Sequence, residues 1–289
     1  MDFKNAKELL TLCQDHQLPI SEIMRQREII VGETTDESVI SRMARVLEIM
    51  KDAAFSPVKT PVKSMGGLIG GEAQKLSRHL ASGKGICGNV LEKAITYAMA
   101  TLETNASMGL IVASPTAGSA GIVPGLLLAL QEVYDFSDED IQKALFNAGA
   151  IGYLAMRNAT VAGAVGGCQA ETGVAAAMAA YAATELMGGT PLQCTYAAST
   201  VLMNMLGLVC DPVGGLVEYP CQNRNASGVA IALVAAEMSL AGITQLIPLD
   251  EMITIMLTVG KKLPAELRET ALGGCATAPS ACESCHMCG

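Results

Sequence analysis

Residues 170–187 read AETGVAAAMAAYAATELM, and this stretch decides the fold class. We predict a helix over it, and its small side chains let that helix pack closely against its neighbours. The whole chain has the same character: of its 289 residues, 51% are hydrophobic, only 3% are aromatic and none is Trp. The core must therefore be built from Ala, Val, Leu, Ile and Met with many glycines. The sequence predicts an all-α, mainly helical catalytic domain whose Gly-rich interhelical loops line the site.

Other segments carry the same helical signal. Thr34 and Glu37 have the spacing of a capping box, and apolar residues follow them at the three-and-four spacing of one helix face. Strand candidates, at 29–31 and 110–112, are too short to build a sheet. Further helices are predicted at about 5–15, 21–31, 89–104, 121–134, 138–157, 170–187, 191–208, 225–241, 248–261 and 264–271.

Charge and hydropathy exclude several function classes. The net charge of −9 repels phosphates, so we expect no nucleic-acid binding. No charged residue occurs between Glu103 and Glu132 or between Glu185 and Asp211, and both gaps exceed the roughly 20 residues that cross a bilayer. Polar residues and prolines within them indicate buried segments, so no membrane association is expected. Residues 1–15 lack the apolar region of a signal peptide, and we expect a cytoplasmic protein.

Ten cysteines without an export signal indicate buried thiols or metal ligands rather than a disulfide framework. Cys13 and Cys194 lie among apolar helical neighbours and are predicted to be core residues. Cys168, Cys210 and Cys221 are instead flanked by helix-breaking residues, which favours thiolates held on loops for a metal. Three ligands leave a coordination position open, as a catalytic metal requires. Sulfur ligands suit iron–sulfur or zinc, and the pattern alone does not choose between them.

Glycines cluster in polar loops between the predicted helices, notably SMGGLIGGE at residues 64–72 and SPTAGSAG at residues 114–121. Glycine lets the backbone approach a ligand, and a helix N-terminus after such a loop attracts an anion. We therefore expect the loops to line a site for one small anionic ligand. Turns that merely join tightly packed helices are the alternative. The chain has neither a Walker-type motif nor a strand-led dinucleotide-binding motif.

Four long motifs occur in order: NASMGLIVASPTAGSAGIVPG at 105–125, GCQAETG at 167–173, CDPVGGLVEYPCQNRN at 210–225 and ETALGG at 269–274. They closely resemble the alpha subunit or alpha domain of the iron–sulfur-dependent L-serine dehydratases. The resemblance implies a 4Fe-4S cluster held by Cys168, Cys210 and Cys221. It also implies conversion of L-serine to pyruvate and ammonia, with an open iron acting as Lewis acid on the leaving hydroxyl group.

The resemblance also implies a substrate site and a partner. The loop at 114–121 and Arg224 would anchor the carboxylate of L-serine, although a plain structural ion pair is the alternative for Arg224. A separate beta subunit is expected to supply the additional N-terminal domain of single-chain members, which gives an alpha–beta assembly or a higher oligomer. The substrate-binding residues implied are Ser107, Thr116, Gly118, Ser119, Ala120, Arg224 and Asn225.

Three parts of the chain follow from this reading. An N-terminal helical part is predicted at 1–62, the catalytic cluster-binding helical domain at 63–274 and a Cys-rich tail at 275–289. The proline- and glycine-rich region at 55–71 is the expected hinge between the first two parts.

The general base is the least determined residue. Lys75 is a candidate if it is buried, although a solvated lysine on a helix face is the plainer interpretation. His16 and His79 are expected at the surface. The remaining possibility is a base supplied by the partner chain.

The C-terminal run CESCHMCG at 282–289 forms a second thiol cluster. Its C-x2-C-x2-C spacing is similar to part of a ferredoxin motif but lacks the fourth cysteine and its proline. Three interpretations stay open. The thiols are accidental, or they form a separate zinc site, or the tail reaches back so that Cys282, Cys285 or Cys288 becomes the fourth cluster ligand.

Rival functions share parts of this pattern. L-cysteine desulfidase-type elimination would use similar chemistry. A pyridoxal-phosphate dehydratase is disfavoured because no lysine lies in a Schiff-base context beside a phosphate loop. A non-catalytic helical zinc-binding module would explain the cysteines alone.

Overall fold

A computed structural model describes residues 1–284 of the chain. Within these residues it has thirteen α-helices and no β-strand, which confirms the predicted all-α class. An isolated bridge joins Cys210 to Arg268. The helices are α1 (Ala6–His16), α2 (Ile20–Val31), α3 (Asp36–Lys59), α4 (Glu72–Ala81), α5 (Gly88–Ala106), α6 (Ile122–Tyr134), α7 (Asp138–Asn158), α8 (Gly163–Gly166), α9 (Val174–Leu186), α10 (Pro191–Asn204), α11 (Cys221–Leu240), α12 (Leu249–Lys262) and α13 (Pro279–Ser284).

Local capping residues set the start of several helices. Ser137 and Thr190 begin α7 and α10 with complete capping boxes, which satisfy backbone N–H groups of the first helical turn. Helix α3 begins after Thr35, whose hydroxyl oxygen accepts a hydrogen bond from the backbone of Ser38 at 3.2 Å. The capping box predicted at Thr34 and Glu37 is therefore wrong: the N-cap is Thr35, one residue later, and Ser38 stands three residues after it.

Three other helices begin where a distant carboxylate binds their first N–H groups. Asp250 accepts from Ala6 N at 2.7 Å at the start of α1, and Glu185 accepts from Ile20 N at 2.9 Å at the start of α2. Glu103 accepts from the backbone of α4 at 2.9 Å. A carboxylate at a helix N-terminus satisfies unpaired donors and interacts favourably with the helix dipole. These starts are thus fixed by tertiary contacts.

Several predicted boundaries are wrong. Helix α3 runs through Pro57 to Lys59, so the first residues of the expected hinge at 55–71 are helical. Helix α4 was not predicted, because Ala73 is its only buried residue and its apolar signal is correspondingly weak.

The helix predicted at 264–271 is reduced to one 3-10 turn, Ala265–Leu267. The chain leaves helical geometry there because its backbone pairs with Cys210 instead. Cys210 N donates to Leu267 O at 2.9 Å, and Glu269 N donates to Cys210 O at 2.7 Å.

Helix α9 lies at the centre of the fold. Every residue from Val174 to Thr184 is buried, so only the last two residues of this helix, Glu185 and Leu186, are partly exposed to solvent. Helices α6, α7, α10 and α11 pack around it. The helix predicted at 170–187 is correct except for its first turn, which is a π-helical turn, Gln169–Gly173.

A single hydrophobic core joins the N-terminal helices to the rest. Phe3 and Leu9 belong to the same buried cluster as Leu126, Tyr181 and Met256. The boundaries predicted at residues 62 and 274 stay predictions. In the part of the chain described, one segment, Ala117–Tyr134, is long and apolar enough to cross a membrane, and 67% of it is buried inside the protein, as a core helix would be.

Glycine lets α6 approach α5 very closely. A Cβ atom at Gly125 would lie 2.8 Å from Ala94 O and 2.9 Å from Ala98 Cβ. Both neighbours are fixed parts of α5, one of them backbone. Because Gly125 has no side chain, α6 can pack on α5 at this short distance.

We expect Gly125→Ala to lower the free energy of unfolding by about 1–3 kcal/mol, the usual cost of overpacking. Gly149→Ala in α7 is the matched control, because the nearest atom to its added methyl group is Met24 Cε at 3.8 Å. That change should be neutral or stabilising by up to about 1 kcal/mol through helix propensity. Urea unfolding followed by circular dichroism measures both variants, and equal effects would contradict the close packing of α5 on α6.

Candidate metal centre

Cys168, Cys210 and Cys221 come from three segments, and Cys168 lies within interaction range of the other two. Cys168 immediately precedes the π-helical turn before α9, Cys210 forms the bridge to Arg268, and Cys221 is the first residue of α11. The thiols of Cys168 and Cys210 are hydrogen-bonded to each other, and the charge of Cys168 acts on Cys221. Two of the three cysteines thus begin helical segments, whereas the sequence indicated loops. Their role as metal ligands stays a prediction.

The surroundings affect the three thiols differently. The pKa of Cys168 is lowered, chiefly because the Cys210 thiol donates a hydrogen bond to its sulfur, and the Arg224 charge acts in the same direction. The pKa of Cys210 is raised by that hydrogen bond and by burial. Burial raises the pKa of Cys221 to about 12. The protein alone therefore favours one thiolate, and a bound metal would ionise the others by coordination.

Glu171 is the acidic residue of this centre that the sequence analysis missed. Its Oε1 accepts a hydrogen bond from Thr116 Oγ1 at 3.0 Å, and its Oε2 lies 3.5 Å from Cys210 Sγ. Burial raises the pKa of Glu171 to about 7, and the charges of Cys168 and Glu269 add to the shift. The sequence did contain a signal for Glu171. It is an ionisable residue directly before the apolar run of α9, and burying a charge there is costly.

Gly163 forms one wall of the centre. A Cβ atom there would lie 2.4 Å from Glu171 Oε2 and 3.0 Å from Cys210 Sγ. Only glycine fits beside these two groups, so the backbone of α8 approaches them directly.

The loop at residues 114–121 borders the same centre. Thr116 Oγ1, which contacts Glu171, also lies 3.1 Å from Ser119 Oγ. Asn225 fixes this loop: its Oδ1 accepts from Gly121 N at 3.0 Å, and its Nδ2 donates to Gly118 O at 2.8 Å. The loop is thus held rigidly against the start of α11.

The remaining predicted substrate-binding residues have different surroundings. Ser119 and Ala120 are buried in the loop. Ser107 lies at the C-terminal end of α5, where its hydroxyl donates to Thr104 O at 3.0 Å. The substrate roles of Ser107, Thr116, Gly118, Ser119, Ala120 and Asn225 stay predictions.

Arg224 lies beside the thiols and is held by other groups of this chain. Its Nη2 is 2.6 Å from Asp211 Oδ1, its Nη1 donates to Val209 O at 2.9 Å, and it hydrogen-bonds to Cys168. Asp211 Oδ2 in turn accepts from Cys275 N at 2.6 Å. The structural ion pair that was the alternative for Arg224 is therefore present, with Asp211. The guanidinium group also places a positive charge beside a centre rich in acidic groups.

Lys75 lacks the burial on which its predicted role as general base depends. Its side chain, on α4, is 74% exposed and lies 3.4 Å from Glu72 Oε1. His16 and His79 are exposed, as predicted.

The first Gly-rich loop binds an anion that belongs to the chain itself. The buried carboxylate of Glu218 accepts from Ser64 Oγ at 2.7 Å, Gly66 N at 2.6 Å and Leu68 N at 2.9 Å. The expectation that this loop binds an anionic ligand is therefore wrong, because its N–H groups are occupied. Glu218 instead ties the loop to the segment that leads into Cys221.

The C-terminal cysteines lie at the limit of the described chain. Cys282 is in α13, but the structure does not describe its side chain. Cys285 and Cys288 lie outside the described residues. Their role as fourth cluster ligand stays a prediction.

Across residues 1–284 the fold is all-helical, and it brings three buried or half-buried cysteines near one another beside a hydroxyl-rich loop, an arrangement that defines a helical protein with a candidate metal centre. Residues 15–276 match the family described as serine dehydratase alpha chain, and the chain belongs to this family. This confirms the resemblance found in the sequence.

Individual relatives agree with the family. The chain is 48% identical over 278 residues to the probable L-serine dehydratase, alpha chain, of Bacillus subtilis, covering 96% of this chain and 92% of the relative. It is 43% identical over 271 residues to the L-serine dehydratase, alpha chain, of Peptoniphilus asaccharolyticus, covering 94% and 93%. It is 38% identical over 283 residues to the L-serine dehydratase of Helicobacter pylori, covering 95% of this chain but 61% of that protein.

We expect Glu218→Gln to release the loop at 64–68, because the amide group would turn a donor toward backbone N–H groups that need an acceptor. One unsatisfied buried hydrogen bond costs about 1–3 kcal/mol. Amide hydrogen exchange at Gly66 and Leu68 should become faster. Glu266→Gln, at an exposed acidic residue, is the control. Unchanged protection in the Glu218 variant would show that this carboxylate does not hold the loop.

Proposed function

We propose that this protein is the alpha subunit of an iron–sulfur-dependent L-serine dehydratase, a lyase that converts L-serine to pyruvate and ammonia. The observation that carries the proposal is the meeting of Cys168, Cys210 and Cys221 beside the loop at 114–121. The names of the relatives support the substrate and the reaction.

The donor set fits a 4Fe-4S cluster. Three sulfur donors converge, soft ligands suit iron, and Arg224 supplies a compensating positive charge. Helix α11 begins at Cys221, so its positive N-terminal end favours thiolates there. When bound by these cysteines, the cluster would leave one iron without a protein ligand, as a Lewis acid for the departing hydroxyl group.

The chain's own residues would bind and orient the substrate. Elimination removes the Cα proton and the β-hydroxyl group of serine as water, and the enamine product tautomerises to an imine that hydrolyses to pyruvate and ammonia. Thr116 and Ser119 offer hydroxyl groups at the centre, and Asn225 fixes their loop. A loop held in this way orients a small substrate at low entropic cost.

We further propose an assembly with a separate beta subunit in the cytoplasm. Two of the relatives are named as alpha chains, and this naming supports a separate beta chain as the partner. Free thiols support a reducing compartment, because no disulfide joins the cysteines that the structure describes.

Anaerobic reconstitution with iron and sulfide tests the proposed function. The reconstituted chain, with its co-encoded beta chain, should form pyruvate from L-serine. Cys168→Ser, Cys210→Ser and Cys221→Ser should each abolish both the cluster absorbance and pyruvate formation. Cys13→Ser, at a core thiol of α1, should retain both. Faster turnover of L-cysteine than L-serine would favour the desulfidase alternative, and zinc without iron would favour the non-catalytic one.

Thr116 tests the substrate loop separately. We expect Thr116→Val to lower kcat/KM for L-serine roughly tenfold, the equivalent of about one hydrogen bond. Thr116→Ser retains the hydroxyl group and should remain close to the unmodified protein. Iron content is measured in both variants. Equal kcat/KM in the Val and Ser variants would remove this hydroxyl from substrate binding.

A further inference from the structure

Beside the three thiols lies a second set of metal-binding atoms, of which only Cys210 is shared. The sulfur of Cys210 and carboxylate oxygens of Glu171 and Glu269 all lie within 4.8 Å of one another. We propose that Cys210, Glu171 and Glu269 bind one divalent metal ion, of the iron or zinc class, in the chain that holds no cluster. This inference goes beyond the proposed lyase activity and does not rest on it.

The spacing of two of the ligands already suits a single ion. Cys210 Sγ lies 3.5 Å from Glu171 Oε2. A tetrahedral ion with bonds of about 2.3 Å to sulfur and about 2.1 Å to oxygen holds those two atoms about 3.6 Å apart. The two atoms therefore lie at the separation that such an ion requires.

The backbone holds Glu269 close to Cys210. Glu269 N donates to Cys210 O at 2.7 Å, next to the bridge between Cys210 and Arg268. The backbone of Glu269 has a φ of 65°, a left-handed conformation that residues other than Gly and Asn seldom adopt.

Charge and access also favour a cation. Across residues 1–284, neither Glu171 nor Glu269 forms an ion pair, and the nearby guanidinium group of Arg224 pairs with Asp211. Glu269 is exposed whereas Cys210 is buried, so an ion could enter from solvent and reach the thiol through the carboxylate. Mixed sulfur and oxygen donors suit borderline first-row ions.

The cluster and the single ion both need Cys210, so one chain can hold either of them but not both. A cluster ligated by Cys210 removes this thiolate from the single ion, so the ion belongs to the cluster-free chain. Cys221 serves only the cluster, and Glu269 serves only the single ion. Substitutions at these two residues should therefore separate the two states.

The test is an anaerobic titration of the full, cluster-free chain with Co²⁺, followed by thiolate-to-cobalt charge-transfer absorption. We expect one equivalent to bind at this site, in addition to any Co²⁺ bound by the C-terminal cysteines. Glu269→Gln should weaken Co²⁺ binding at least about tenfold. Replacing a group that only hydrogen-bonds to a metal ligand already costs about that much affinity, and Glu269 would be a ligand itself. Cys221→Ser should bind Co²⁺ like the unmodified chain, and so should the control Glu266→Gln, at an exposed acid on the neighbouring turn.

Reconstitution with iron and sulfide completes the design. Glu269→Gln should retain the iron and sulfide content of the unmodified chain, whereas Cys221→Ser should lose it. The inference is overturned if Glu269→Gln binds Co²⁺ normally, if it also loses the cluster, or if Cys221→Ser abolishes Co²⁺ binding, which would assign the ion to the three cysteines. Failure of the unmodified chain to take up a cluster would contradict the proposed function alone.

Discussion

The burial of α9 from Val174 to Thr184 is the constraint on which the candidate metal centre depends. Seven of the eleven residues in the buried stretch Val174–Thr184 are Ala, so neighbouring helices can approach it closely. The three cysteines are connected to this packing: Cys168 precedes the turn that enters α9, and α10 and α11, which flank Cys210 and Cys221 in the chain, pack directly on α9. A rigid central helix thus fixes the relative positions of three segments that are distant in sequence.

Acidic groups exceed basic ones at the point where these segments meet. Cys210 lies close to both Cys168 and Glu171, with the half-buried Arg224 as a nearby cation. Crowded acidic groups of this kind are costly without a positive partner, and each raises the energy of ionising the next. The excess of acidic groups means that a positive charge brought into this site would be stabilised, which agrees with both of the metal states that we propose.

Sequence reasoning reached the fold class because small residues and helical periodicity extend over most of the chain. It also separated Cys168, Cys210 and Cys221 from the core thiols Cys13 and Cys194, because helix-breaking residues flank the first three, and their role as metal ligands stays a prediction. Cys13 and Cys194 are both buried, as expected.

What sequence reasoning missed depends on contacts between distant residues. Glu171 belongs to the centre only because Thr116 and Cys210 fold against it. The loop at 64–68 has the composition of an anion site, and nothing local shows that Glu218, about 150 residues later, supplies the anion. The short 3-10 turn at Ala265–Leu267 replaces a helix because the backbone there pairs with Cys210.

The carboxylates at the starts of α1 and α2 have a consequence for dividing this protein. Asp250 and Glu185 reach back across 244 and 165 residues to the helices that they cap. If the chain were cut between α2 and Glu185, the fragment with α1 and α2 would keep the sequence of both helices. It would lose the two carboxylates that accept hydrogen bonds from their first N–H groups. Complementing fragments of this chain would therefore recover full N-terminal helicity only upon reassociation.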